Sequence, residues 1–237
     1  MASMTINDLI AQAKAIYGDD LVAVSLYGSA ARGEHLAKHS DLNVLVVVER
    51  ITMEHLRKEG PMARSWREAG NPPPLTLTRA EWLGGADIFP IEYADILAHH
   101  TVLAGALPVE GLRVEPADLR LQLEHEGMSK LLRLRHALMM AGRDTKALRE
   151  LLEQSVSTIL VLLRATLRLA GEAPPADSEQ VCARVRERCA LDTGPVLRIV
   201  QHTRATQPLR DAELEGLAEQ YLSTVQSLVS YLDRYTH

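Results

Sequence analysis

Leu21-Val22-Ala23-Val24-Ser25-Leu26-Tyr27-Gly28-Ser29-Ala30-Ala31-Arg32-Gly33, followed by Ser40-Asp41-Leu42-Asn43-Val44-Leu45-Val46-Val47-Val48, is the stretch that decides the fold. Leu21 to Tyr27 is a β-rich, alternating run that ends at Gly28. Leu42 to Val48 is nearly all apolar, the composition of a strand buried on both faces. Ser29 is placed to open a helical turn, whose first backbone N–H groups lack intrahelical partners and receive an anion such as a phosphate. Gly28 has no Cβ, so a phosphate can approach the main chain there. Asp41 is read as the start of the second strand. At i and i+2, Asp41 and Asn43 are then expected on one strand face. Two oxygen-bearing groups beside a phosphate cradle suit a Mg²⁺ ion bridging a nucleoside triphosphate.

Working outward, Ile6 to Tyr17 has the spacing of a short amphipathic helix, with Thr5 or Asn7 as its cap. Thr52 to Ala69 is helical in composition, with Pro61 as a break or kink. Asn71-Pro72-Pro73-Pro74 is a stiff connector. Leu75 to Thr78 reads as a third strand. Phe89 to Ile96 reads as a fourth, with Pro90 at its start, where proline is tolerated. Beyond about residue 112 the pattern changes to helical spacing. It runs over Leu119 to Met140 with Gly142 as a stop, Leu148 to Leu169, Val181 to Cys189, Val196 to Thr203 and Leu214 to Leu232. The expected organisation is an α/β domain over residues 1–112 and an all-α helical bundle over 113–237.

Composition narrows the function. The chain has 237 residues, 46% of them hydrophobic, which is enough for a real core. Residues 1–110 carry 9 Lys+Arg against 14 Asp+Glu, and residues 111–237 carry 17 against 17, so the first half holds the whole acidic excess. That argues against a long nucleic acid as partner, because phosphate backbones call for a basic surface. No apolar run approaches the ~20 residues of a membrane span. The opening residues lack a basic-then-apolar leader, so a cytoplasmic location is expected. Cys182 and Cys189 make neither a disulfide framework nor a four-ligand zinc site.

Gly28-Ser29, then Ser40-Asp41-Leu42-Asn43 on the next strand, resembles the nucleotidyltransferase superfamily with the DNA polymerase β-type palm. That superfamily includes the aminoglycoside nucleotidyltransferases and the minimal nucleotidyltransferases of toxin–antitoxin pairs. Its pattern is Gly-Ser, a short helix, then a strand bearing Asp-x-Asp or Asp-x-Glu. The resemblance implies an α+β fold, with an N-terminal mixed β-sheet nucleotidyltransferase domain followed by a C-terminal all-α helical bundle. It implies Mg²⁺-dependent transfer of a nucleoside monophosphate, AMP from ATP or the equivalent from another nucleoside triphosphate, to a hydroxyl of a small-molecule or protein acceptor. Gly28 and Ser29 would hold the triphosphate, with Arg32 as a further phosphate contact. Asp41 would be the main metal ligand and Asn43 a weak one. A third carboxylate from a later strand completes the metal site or acts as general base. A Glu followed by an aromatic residue resembles the corresponding strand of the streptomycin/spectinomycin-type enzymes, which selects Glu92, with Asp95 as the fallback on the opposite strand face. The implied partners are a nucleotide and an acceptor, with no long nucleic acid and no membrane, and a homodimer left open.

Asn43 departs from that pattern. An amide offers a cation one neutral oxygen, whereas two metal ions about 3.5–4 Å apart are held together by bridging carboxylates. A second reading follows: a catalytically impaired nucleotide-binding or protein-interaction module that retains the fold. Other residues carry weaker signals. His35 and His39 have helical metal-ligand spacing, His99-His100 follow the fourth predicted strand, and Lys130, Arg133, Arg135, Arg143 and Arg149 form a basic stretch. Trp66 and Trp82 suit core packing better than base stacking.

Overall fold

The computed structural model describes residues 3–31 and 41–235. The chain divides into two compact units, residues 1–114 and 115–237. The first begins with α1 (Ile6–Tyr17), for which Thr5 is the cap: its hydroxyl accepts the Asp8 N–H at 3.2 Å, while the Thr5 N–H donates to the Asp8 carboxylate at 2.9 Å. Asn7 lies inside the helix and does not cap it. The sheet is built from β1 (Leu21–Tyr27), β2 (Asn43–Val48), β3 (Leu75–Thr78) and β4 (His100–Gly105), in the order β3-β2-β1-β4. β1 runs antiparallel to β2 and β4, and β2 runs parallel to β3, so the sheet is mixed. α2 (Met53–Glu68) lies between β2 and β3, and α3 (Arg79–Gly84) and α4 (Pro90–Ala98) lie between β3 and β4.

Strand alternation distributes the core. Val24, Val44, Val46 and Val48 pack with Leu9, Ala13 and Tyr17 of α1 and with Met62 and Trp66 of α2. Ala23, Leu45 and Val47 point the other way, onto Trp82 of α3 and Tyr93 and Ile96 of α4. β2 is therefore buried on both faces, as its apolar run predicts.

Three expectations are corrected. Phe89 to Ile96 is not a strand; Pro90 opens α4, where its fixed φ and missing N–H suit the first helical turn. The buried residues Pro90, Ile91, Tyr93 and Ile96 follow helical spacing, whereas a strand would bury every second residue. The fourth strand is instead β4, which pairs with β1 up to Gly105. At Gly105 φ is +69°, and a Cβ there would stand 2.0 Å from the Val22 carbonyl oxygen, so only glycine fits. Pro61 does not break α2, which runs through it. Asp41 and Leu42 precede β2, which begins at Asn43, so strand alternation does not set the direction of Asp41.

The elements of the second unit among its described residues are all helices: α5 (Pro116–Ala141), α6 (Thr145–Leu169), α7 (Ser178–Cys189), α8 (Gly194–Thr203) and α9 (Asp211–Asp233). Gly142 ends α5 with φ at +54°. Asp144 caps α6 and Asp177 caps α7, each carboxylate accepting two backbone N–H groups. Leu123 and Leu131 of α5, Leu152 and Leu163 of α6, and Tyr221, Val225 and Leu228 of α9 are buried. The free thiols Cys182 and Cys189 are buried too, and burial pushes the Cys182 thiol up to about 12, away from thiolate chemistry. Among the described residues no helix is long and apolar enough to cross a membrane.

A buried carboxylate ties α1, α2 and β3 together. Glu59 accepts the Tyr17 hydroxyl at 2.6 Å on one oxygen and the Thr76 hydroxyl on the other. Burial, then the Glu59 carboxylate, raises the Tyr17 phenol above its ordinary value of 10.0. The folded state thus favours neutral Tyr17, and its contribution is complete below pH 10 and lost as pH rises above it. Tyr17→Phe removes one donor from Glu59 and is expected to cost about 1–3 kcal/mol near neutral pH. Urea unfolding at pH 7 and at about pH 11 should show a smaller alkaline loss of stability in Tyr17→Phe than in wild type.

Candidate functional site

β1 ends at Tyr27, which pairs with Asn43 of β2 on one side and His100 of β4 on the other. The chain then turns at Gly28, where φ is +76°, and residues 28–31 form a turn. A Cβ on Gly28 would meet Asn43 Nδ2 at 2.9 Å and Cγ at 3.7 Å, so the Asn43 carboxamide lies directly over the glycine. Asn43 is the partner of Tyr27, and the turn at Gly28 immediately after it brings the glycine under the Asn43 side chain. Gly28 is buried and Ser29 half-buried.

Asp41 is exposed. The backbone between it and Asn43 is anchored by the Leu42 N–H, which donates to Asn71 Oδ1 at 2.9 Å. Asn71 heads the proline-rich connector, and nothing in its sequence context signals this positioning role. Arg32, Ser40, His35 and His39 lie outside the described residues.

Glu92 and Asp95 are on α4 rather than on a strand, so their separation of three places them on one helix face instead of opposite sheet faces. Both are close enough to Tyr27 to act on its phenol, whose pKa is raised first by burial and then by the charges of Glu92 and Asp95. The end of β1 therefore joins Gly28 and Asn43 to a desolvated phenol that feels two α4 carboxylates. Tyr27 is the member that sequence reasoning missed. Its signal is its parity: it shares alternation with Ala23, which faces α3 and α4.

Among the described residues no three His, Cys, Asp or Glu side chains stand close enough to hold a metal ion. The other candidates have structural roles. Trp66 and Trp82 are fully buried, and Trp82 stacks on Tyr93 with ring centroids 4.5 Å apart, so neither presents a face to a base. His100 places Nδ1 2.8 Å from the Ile96 carbonyl oxygen, joining β4 to α4. In the basic stretch, Lys130 pairs with Glu126, Arg143 with Glu215 and Arg149 with Asp211. A groove at the opposite end of the sheet is lined by Asp19, Val22, Glu49, Arg79 and Ala106, with the Arg79 guanidinium held 2.6 Å from the Glu49 carboxylate.

No protein-family model matches the sequence, and no curated protein matches it either. Solved structures do. The spectinomycin adenyltransferase AAD(9) from Enterococcus faecialis, determined with ATP and spectinomycin, is similar with a TM-score of 0.60 at 13% sequence identity, over 97% of this chain and 100% of that one. The chain shares the fold of that structure. Within that fold, the mixed sheet and the helical C-terminal region are the α+β arrangement that the Gly28-Ser29 and Asp41-x-Asn43 resemblance implied.

Gly28→Ala places a Cβ against the Asn43 amide and an L side chain in left-handed backbone. The expected cost is about 1–3 kcal/mol in urea unfolding. In an Asn43→Ala background the contact is relieved and only the backbone strain remains, so the cost of the same substitution should fall measurably.

Proposed function

We propose that this protein transfers a nucleoside monophosphate, AMP from ATP, to a hydroxyl of a small-molecule or protein acceptor. The reading is supported by the Gly28 turn with the Asn43 amide over it, and by two α4 carboxylates whose charges act on Tyr27, in a fold similar to an adenyltransferase determined with ATP. Gly28 and Ser29 receive the triphosphate on the main chain and a hydroxyl, with Arg32 as a phosphate contact. Asp41 and Asn43, with Glu92 as a third donor, would hold Mg²⁺. The set fits one ion whose remaining ligands are phosphate oxygens and water, and lacks the second carboxylate of a bridged pair. When bound, Mg²⁺ neutralises the phosphate charge.

Glu92 accepts the proton of the acceptor hydroxyl. The hydroxyl oxygen bonds to the α-phosphorus as the bond to the bridging oxygen breaks, and pyrophosphate leaves. Asp95 is the alternative base, since its charge also acts on the Tyr27 phenol. An acidic first half suits a cationic acceptor, as an aminoglycoside is.

Asn43 favours a second reading, a nucleotide-binding module without turnover, because the amide supplies no charge. Turnover of ATP with Mg²⁺ and a panel of hydroxyl acceptors separates the two. Transfer by wild type, abolished in Asp41→Ala and slowed at least about 100-fold in Glu92→Gln, supports the enzyme. Transfer by Asn43→Asp alone identifies a degenerate member. No transfer by either protein, with no thermal shift from ATP and Mg²⁺, removes both readings.

A further inference from the structure

α5 buries one side and leaves an apolar stripe on another. Leu119, Leu123, Gly127, Leu131 and Leu134 are buried, and α5 packs on α6 and α9. Leu121, Met128, Leu132 and Met139 are 66%, 45%, 55% and 73% exposed. At 3.6 residues per turn these four fall within about 20° of one line, on a strip about 27 Å long. Monomeric proteins seldom leave a continuous apolar strip on one helix in water. Two methionines give it the adaptable surface that interfaces favour.

The spacing of the stripe identifies its occupant. The intervals between Leu121, Met128, Leu132 and Met139 are 7, 4 and 7, a pattern that reads the same in both directions. Two copies of α5 laid antiparallel about a twofold axis at residue 130 therefore set Leu121 against Met139 and Met128 against Leu132, leaving no side chain of the stripe unmatched. An isologous contact requires this self-complementarity.

The flanks agree with the same arrangement. On one edge of the stripe stand Glu124 and Arg135. The twofold operation keeps each edge on its own side, so Glu124 of one copy meets Arg135 of the other, twice per dimer. Within its own helix Glu124 accepts from Arg120 on one carboxylate oxygen at 2.6 Å. The other edge brings His125 beside His136. A parallel pair, related by a twofold along the helices, would exchange the edges and set Glu124 beside His125 and Arg135 beside His136, without the two carboxylate–guanidinium contacts.

We propose that the α5 stripe is the interface of a homodimer of this chain, formed by antiparallel packing of α5 on its own copy. One helix pair is a small interface, and the dimer dissociates in the micromolar range.

Sedimentation velocity of the full chain from about 1 to about 200 μM is expected to show a reversible monomer–dimer equilibrium. Leu132→Glu, at the centre of the strip, is expected to weaken it at least about ten-fold with an unchanged far-UV spectrum. Arg135→Glu should weaken the dimer, and combining it with Glu124→Arg should restore it. Orientation is read by mixing a Leu121→Cys chain with a Met139→Cys chain under mild oxidation. The mixed disulfide is expected to exceed both symmetric ones.

Several results overturn the proposal. One is a chain that stays monomeric throughout this range. Another is a dimer that Leu132→Glu leaves intact. A third is preferential linkage of two Leu121→Cys chains to each other, which reports parallel packing. A monomer whose thermal midpoint or turnover falls in Leu132→Glu assigns the stripe to a contact within one chain instead.

Discussion

Val44 to Val48 are buried, with Val44, Val46 and Val48 against α1 and α2, and Leu45 and Val47 against α3 and α4. Asn43 and Glu49 stand at the two ends of this run. A one-residue slip of β2 would draw one or the other into an apolar layer, at the cost of an unsatisfied amide or an unpaired carboxylate. The apolar run is thus just long enough to fill the space between the helices, and its polar ends fix the register. That register sets Asn43 opposite Tyr27. It brings the Asn43 amide over Gly28. The candidate site is a consequence of how one apolar strand is terminated.

Much of this is legible from local sequence. The run Val44 to Val48 reads as a doubly buried strand, and the period-3.6 stripes of the second half read as helices, because in both cases neighbouring residues determine the outcome. Phe89 to Ile96 reads as a strand because its isoleucines and its aromatics favour one, while the deciding features are Pro90 at the helix start and burial every three to four residues. Asp41 departs from its expected place in the strand for a different reason. Whether a residue at a strand end pairs depends on the neighbouring strand, and β1 runs out at Tyr27, opposite Asn43. Alternation with Ala23 gives the face of Tyr27 but not the α4 acids that act on it, and Asn71 carries no local signal of its role, because both partners are distant in sequence.

The candidate site has an exposed Asp41 and a neutral Asn43 where the resembled Asp-x-Asp pattern has a second charge. Asn43 can donate as well as accept, and its amide rests on Gly28 rather than standing alone as a metal ligand. An Asp in its place would add a charge beside Tyr27, Glu92 and Asp95. Without a cation to offset it, that charge would strain the end of the sheet. On the proposed function, the amide would reduce the pull of the site on metal ions and leave the main chain at Gly28 and Ser29 a larger share of nucleotide recognition.

A nucleotide held at the Gly28–Asn43 end of the sheet would be reported directly by amide chemical shifts of the isotopically labelled full chain. Titration with ATP and Mg²⁺ is predicted to move the Gly28, Ser29 and Asn43 amides first and most, with Tyr27 close behind. Shifts confined to the opposite end, around Val22, Glu49, Arg79 and Ala106, would contradict it.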